Sequence, residues 1–89
     1  MTSDIKLQET AKFNKSRKKI KEEQEREALK LAIKKILNDP DAGKKLKGEF
    51  KDLRSFRYTV KGQARRLIYK SETNKITLFS FGPREGIYK

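Results

Sequence analysis

Three short apolar runs in the second half of the chain constrain its fold more than any other feature. From Leu53 to Val60 the side chains alternate, with Phe56, Tyr58 and Val60 on one parity and Arg57 and Thr59 on the other. A two-residue period of this kind belongs to a strand with one packed face and one open face. Ala64–Ser71 carries Leu67-Ile68-Tyr69, and Lys75–Phe81 reads ITLFSF at its heart. Continuous apolar runs predict strands in the middle of a sheet. Lys61-Gly62-Gln63 and Thr73-Asn74 supply turn residues between the runs, so the expectation is an antiparallel meander.

The segments upstream have a different period. From Glu22 to Leu37, the residues Ala28, Leu29, Ala32, Ile33, Ile36 and Leu37 recur at three and four. Glu22, Glu23 and Glu25 come early and Lys34 and Lys35 late, which suits the helix dipole at both ends. Asn38-Asp39-Pro40 stops this helix, because proline cannot continue the hydrogen-bond ladder. An earlier helix is predicted through AKFNKSRKKI, capped by Thr10 and carrying Phe13 and Ile20 as its apolar contacts, with the hairpin broken between Ile20 and Glu22. Ile5 and Leu7 share a parity that suits a short first strand. Residues 39 to 52, with Gly43 and Gly48, read as a connector anchored by Leu46 and Phe50, without a regular element. The expected fold class is α+β: an N-terminal helix hairpin packed on one face of a small antiparallel-rich twisted sheet. Arg57 and Arg66 would point from the other face. With no repeat or linker, residues 1 to 89 are expected to form a single domain.

Composition narrows the chemistry. The chain has no cysteine and no histidine, which removes disulfide frameworks, zinc sites built on those ligands, and imidazole-based triads. No cofactor is expected. Neither a signal peptide nor a membrane-spanning run is visible, so a cytoplasmic location is the expectation. Lys and Arg number 24 against 12 Asp and Glu, a formal charge of +12 on 89 residues. Such self-repulsion favours an anionic partner, either nucleic acid or an acidic protein. The excess is uneven: residues 12 to 35 and residues 57 to 89 each carry +6. The first patch, around Lys15, Arg17, Lys18, Lys19 and Lys21, reads either as an anion-binding surface or as a solvated helix face. In the second, the cations sit on strands, where the sheet fixes their direction.

KKLKGEFKDLRSFRY at 44–58, ARRLIYK at 64–70, KITLFSFGPREGIYK at 75–89 and two upstream helices ending in Asp-Pro together resemble the RelE/ParE superfamily, toxins of type II toxin-antitoxin systems. The resemblance implies a helix hairpin on a small sheet, and an acidic antitoxin as partner. It leaves the activity open, since RelE-like members cleave messenger RNA, usually at the ribosome, and ParE-like members inhibit DNA gyrase. A noncatalytic RNA-binding protein would share the same charge.

Carried over by position, the basic residues of the RelE type fall on Arg57, Arg66 and Arg84, and its C-terminal tyrosine on Tyr88. Thr59 stands where a lysine is expected, and Lys61 is the alternative source of that ammonium. The stretch between Arg84 and Tyr88 is also shorter than in RelE. On this reading RNA supplies its own 2′-OH as nucleophile and no metal is needed. Arg57 and Arg66 clamp phosphate, a role suited to the guanidinium fork. Arg84 protonates or electrostatically stabilises the leaving oxygen. Tyr88 transfers a proton, stacks on a base or packs the C-terminus, and Glu85 either holds Arg84 or serves as a base. Lys61, Arg65, Lys18 and Lys19 are the further candidate RNA contacts. Tyr69 and Phe79 are expected in the core.

Overall fold

In the computed structural model, which describes residues 5–48 and 51–83, the chain runs as strand β1 (Lys6–Glu9), helices α1 (Ala11–Lys18) and α2 (Glu23–Asn38), then strands β2 (Lys44–Lys45), β3 (Arg54–Val60), β4 (Gln63–Glu72) and β5 (Lys75–Pro83). The five strands form one sheet in the order β1-β5-β4-β3-β2. β1 lies parallel to β5, and every other pair is antiparallel. Both helices cover one face, α1 against β5 and α2 against β3.

Local chemistry sets the boundaries. The Thr10 hydroxyl accepts from the Phe13 N–H at 3.1 Å and donates to the Phe79 carbonyl at 3.3 Å, so one side chain starts α1 and ties it to β5. Glu23 and Glu25 occupy the first turn of α2 and Lys35 the last, as the dipole favours. The β3–β4 turn consists of Lys61 and Gly62, with φ of 52° and 82°. Positive φ at both positions is the hairpin turn whose twist matches its strands.

The helix-side core contains Phe13, Leu29, Ala32, Ile36, Leu67, Tyr69, Ile76 and Leu78. Phe56, Tyr58 and Phe81 pack against it, and the Phe13 and Phe81 rings meet edge-on with centroids 5.1 Å apart. Ile76 and Leu78 share a parity that Phe81 does not, and a bulge reconciles them. Ile68 pairs with Ser80 while Tyr69 pairs with Leu78, which leaves Phe79 as the extra residue. Phe79, expected in the core, is therefore only half-buried and lies outside the helix-side cluster.

The connector also departs from expectation. Lys44 and Lys45 form a two-residue edge strand on Ser55 and Arg54. Both are exposed, so no alternation marks them. Leu46 is half-buried as an anchor, whereas Phe50 lies outside the described residues. The stronger anchor is Tyr69, fully buried on β4. Its hydroxyl accepts from the Gly43 N–H at 2.9 Å and donates to the Pro40 carbonyl at 2.8 Å, clamping the segment that leaves α2. A Cβ on Gly43 would lie 2.6 Å from that hydroxyl oxygen, so glycine is required by space. Arg54 closes the same loop, donating to the Gly43 carbonyl at 2.7 Å and pairing with Asp41 at 3.1 Å. No helix among the described residues is long and apolar enough to cross a membrane.

Tyr69→Phe strands a buried N–H and a carbonyl together, and should lower unfolding stability by about 1–3 kcal/mol. Gly43→Ala should do comparable damage through the close approach. Urea midpoints measure both, and an unchanged midpoint for Tyr69→Phe would refute the clamp.

Candidate functional site

Because Phe56 and Tyr58 of β3 and Leu67 and Tyr69 of β4 face the helices, the two-residue period turns Ser55, Arg57 and Thr59, together with Arg66, Ile68 and Lys70, to the opposite face. The register sets Arg57 directly across from Arg66. Like charges in directly opposed positions destabilise a sheet, so this pair works against the fold unless an anion joins it. Arg57 and Thr59 are exposed and Arg66 is half-buried. Nη1 of Arg66 donates to Ser55 Oγ at 3.3 Å.

The carboxylates lie elsewhere. Glu9 binds Arg17 at 2.8 Å and accepts from Asn14 at 2.7 Å. Glu22 binds Lys61 at 2.8 Å, and Glu25 binds Arg65 at 3.2 Å. Asp41 binds Arg54, while Glu72 sits between Lys70 and Lys75 at 3.8 and 3.4 Å. Among the described residues, no carboxylate pairs with Arg57 or Arg66.

The titratable groups follow this pairing. Burial pushes the Glu9 carboxyl up, but hydrogen bonds from Asn14 and Arg17, with the charges of Arg17 and Lys18, outweigh it and leave the group below its ordinary value. The hydrogen bond and charge of Lys61 hold Glu22 below the usual range. Burial pushes the Tyr58 phenol up to about 12, with Arg65 opposing and Glu25 adding to the shift.

Of the residues singled out from sequence, the fold brings Arg57, Thr59 and Arg66 together on the open face. Lys61 sits at the adjoining turn, held by Glu22. Arg65 projects to the other face, beneath the start of α2, with its side chain 18% exposed and paired to Glu25. Its register partner is Tyr58, and its Nε and the Tyr58 hydroxyl are buried without hydrogen-bond partners among the described residues. Lys18 and Lys19 end α1 as exposed side chains, away from the two arginines. Arg84, Glu85 and Tyr88 lie outside the described residues. Sequence reasoning missed Ser55, although it shares a parity with Arg57, because serine carries no charge signal.

A family model described as ParE-like toxin of type II bacterial toxin-antitoxin system matches residues 7–89. No curated protein matches the chain. Among solved structures, the isolated E. coli RelE toxin is similar at 23% identity and a TM-score of 0.71, over 94% of this chain and 90% of that one. A chain of the intact E. coli RelBE toxin-antitoxin complex is similar at 25% identity and a TM-score of 0.70, over 91% of this chain and 98% of that one. The match over residues 7–89 and the shared fold place this chain in the RelE/ParE superfamily, as a ParE-like toxin of a type II toxin-antitoxin system.

Proposed function

We propose that this toxin is a metal-independent endoribonuclease of the RelE-like kind, cutting messenger RNA engaged by the ribosome in the cytoplasm. The observation that carries the reading is the directly opposed Arg57 and Arg66, on a face where neither has a carboxylate among the described residues. A phosphodiester fits that pair in charge and in guanidinium geometry.

The reaction is an internal displacement. The 2′-oxygen loses its proton and attacks phosphorus, the bond to the 5′-oxygen breaks, and that oxygen takes up a proton. The products are a 2′,3′-cyclic phosphate and a 5′-hydroxyl. Arg57 and Arg66 would orient the phosphate and stabilise charge on its nonbridging oxygens. Arg84 is proposed to stabilise the leaving oxygen and Tyr88 to move a proton. Lys61 would supply the ammonium missing at Thr59, at the expense of its bond to Glu22. Arg65 is committed to Glu25, so its part is to hold β4 against α2. Lys18 and Lys19 would meet RNA outside the reacting centre.

An antitoxin is the proposed protein partner, as RelBE is a toxin-antitoxin complex. Charge favours an acidic one, and the surface offers apolar contact as well. A groove of about 470 Å³ between α2 and β3 has Ala28, Leu31, Ala32, Phe56 and Tyr58 as its apolar lining and Lys35, Arg57 and Thr59 as its polar lining, with Leu31 57% exposed. The second reading is gyrase inhibition, favoured by the ParE-like family model and by threonine at position 59.

A translating extract separates the readings. Cuts within codons only where ribosomes engage the message support the nuclease, while inhibited supercoiling with intact RNA supports the gyrase reading. Arg66→Ala should slow cleavage by about 100-fold or more, the scale of one lost transition-state donor, with the thermal unfolding curve nearly unchanged. Arg65→Met should reverse the pattern, costing about 1 kcal/mol of stability and leaving the rate per folded molecule near wild type. Wild-type cleavage by the Arg66 variant would remove it from the site. Thr59→Lys should raise cleavage; weaker RNA binding on adding that charge would mean the open face does not meet RNA.

A further inference from the structure

Apart from the Tyr69 hydroxyl, Ser55 carries the one polar side chain buried to this degree among the described residues, at 4% exposure. It lies on the open face of β3 opposite Ile68, itself 3% exposed, so its hydroxyl has little access to water. The backbone beneath it is unusually fixed. Arg54 and Ser55 are the positions of β3 paired on both sides, to β2 and to β4, whereas Arg57 has a strand partner on the β4 side alone. Onto this fixed point Arg66 reaches diagonally across the strands, Nη1 donating to Oγ at 3.3 Å. No other described group accepts from this guanidinium.

We infer that Ser55 is a positioning residue for Arg66, its buried hydroxyl holding the guanidinium in place over the sheet. This rests on the reading of Arg66 as a phosphate ligand. Left alone, Arg66 would be driven by Arg57 toward solvent, where its flexible stem has many rotamers. A hydroxyl acceptor removes that freedom through one hydrogen bond and leaves Nε and Nη2 to meet two phosphate oxygens. A carboxylate at the same point would hold Arg66 more firmly, but would also cancel the charge that the phosphate needs. Serine holds without neutralising. Its contribution is therefore geometric and falls on the transition state, where placement matters most.

The test compares Ser55→Ala, Ser55→Cys and Ser55→Thr in the full-length toxin, each alone and with Arg66→Ala, by ribosome-dependent cleavage corrected for the folded fraction. Ser55→Ala should lower kcat about tenfold with KM nearly unchanged, since long-range attraction of RNA to the cationic face persists. Cysteine fills the space at least as fully as serine but is a poor acceptor, so it should behave like alanine, and threonine should recover most of the rate. In the Arg66→Ala background none of the three should cause a further loss. ¹⁵N relaxation of the Arg66 Nε–H gives a readout independent of cleavage, and its order parameter should fall in the alanine and cysteine variants and recover with threonine. Equal rates for wild type and Ser55→Ala, alongside an impaired Arg66→Ala, overturn the positioning role while the nuclease reading stands. An additive loss in the double variant overturns it too, as Ser55 would then act apart from Arg66. Wild-type cleavage by Arg66→Ala overturns the phosphate-ligand reading and this inference with it. Normal rates in the cysteine variant would assign Ser55 to packing.

Discussion

The two-residue turn at Lys61 and Gly62 fixes the register of β3 on β4, and that register determines both the core and the open face. With Val60 set against Gln63, Phe56 falls opposite Leu67 and Tyr58 opposite Arg65 on the helix side, while Arg57 falls opposite Arg66 on the other. A slip of one residue would reverse every side chain of a strand. It would remove Tyr69 from the clamp on Gly43 and Pro40, and expose the apolar side of β4. Burying that side is therefore what forces two guanidiniums together on the opposite one. The core stabilises an arrangement that electrostatics alone would oppose.

The distribution of the acids fits this picture. With 12 carboxylates for 24 basic side chains, not every cation can be paired, and the described acids lie at the helix ends, the sheet edges and the turns. Glu9, Glu22, Glu25, Asp41 and Glu72 each secure a junction: β1 to α1, the hairpin tip to α2, α2 to β4, the connector to β3, and the β4–β5 turn. Among the described cations they leave uncompensated, Lys12, Lys15, Lys30 and Lys34 lie on the helices, whereas Arg57 and Arg66 sit directly opposite each other on the open face of the sheet. An anionic partner that meets the sheet there relieves the repulsion between those two guanidiniums.

Much of this was legible in the sequence where a long element follows one period. Helix α2, the β3–β4–β5 meander, the Thr10 cap and the stop at Pro40 all show in local patterns. β2 did not, because two exposed lysines have no alternation, and β1 revealed its strand character but not its parallel pairing with β5, which joins residues far apart in the chain. The bulge at Phe79 was hidden because an apolar run conceals a change of parity. In the site, parity separated Arg57 from Tyr58, but it could not by itself say which of Arg65 and Arg66 faces the helices. That follows from Leu67 and Tyr69 both entering the core, a tertiary fact. Ser55 was invisible because its role comes from burial and from a partner on the next strand.

The same topology sets what stands on either side of Arg66. β5 is the other neighbour of β4, and its Gly82 pairs with Arg66. Gly82 has a φ of 140°, a backbone conformation that side chains rarely adopt, so glycine suits the strand position beside Arg66. Arg66 thus lies between Arg57 on β3 and a residue without a side chain on β5, and the register fixes the backbone beneath both guanidiniums before any anion arrives.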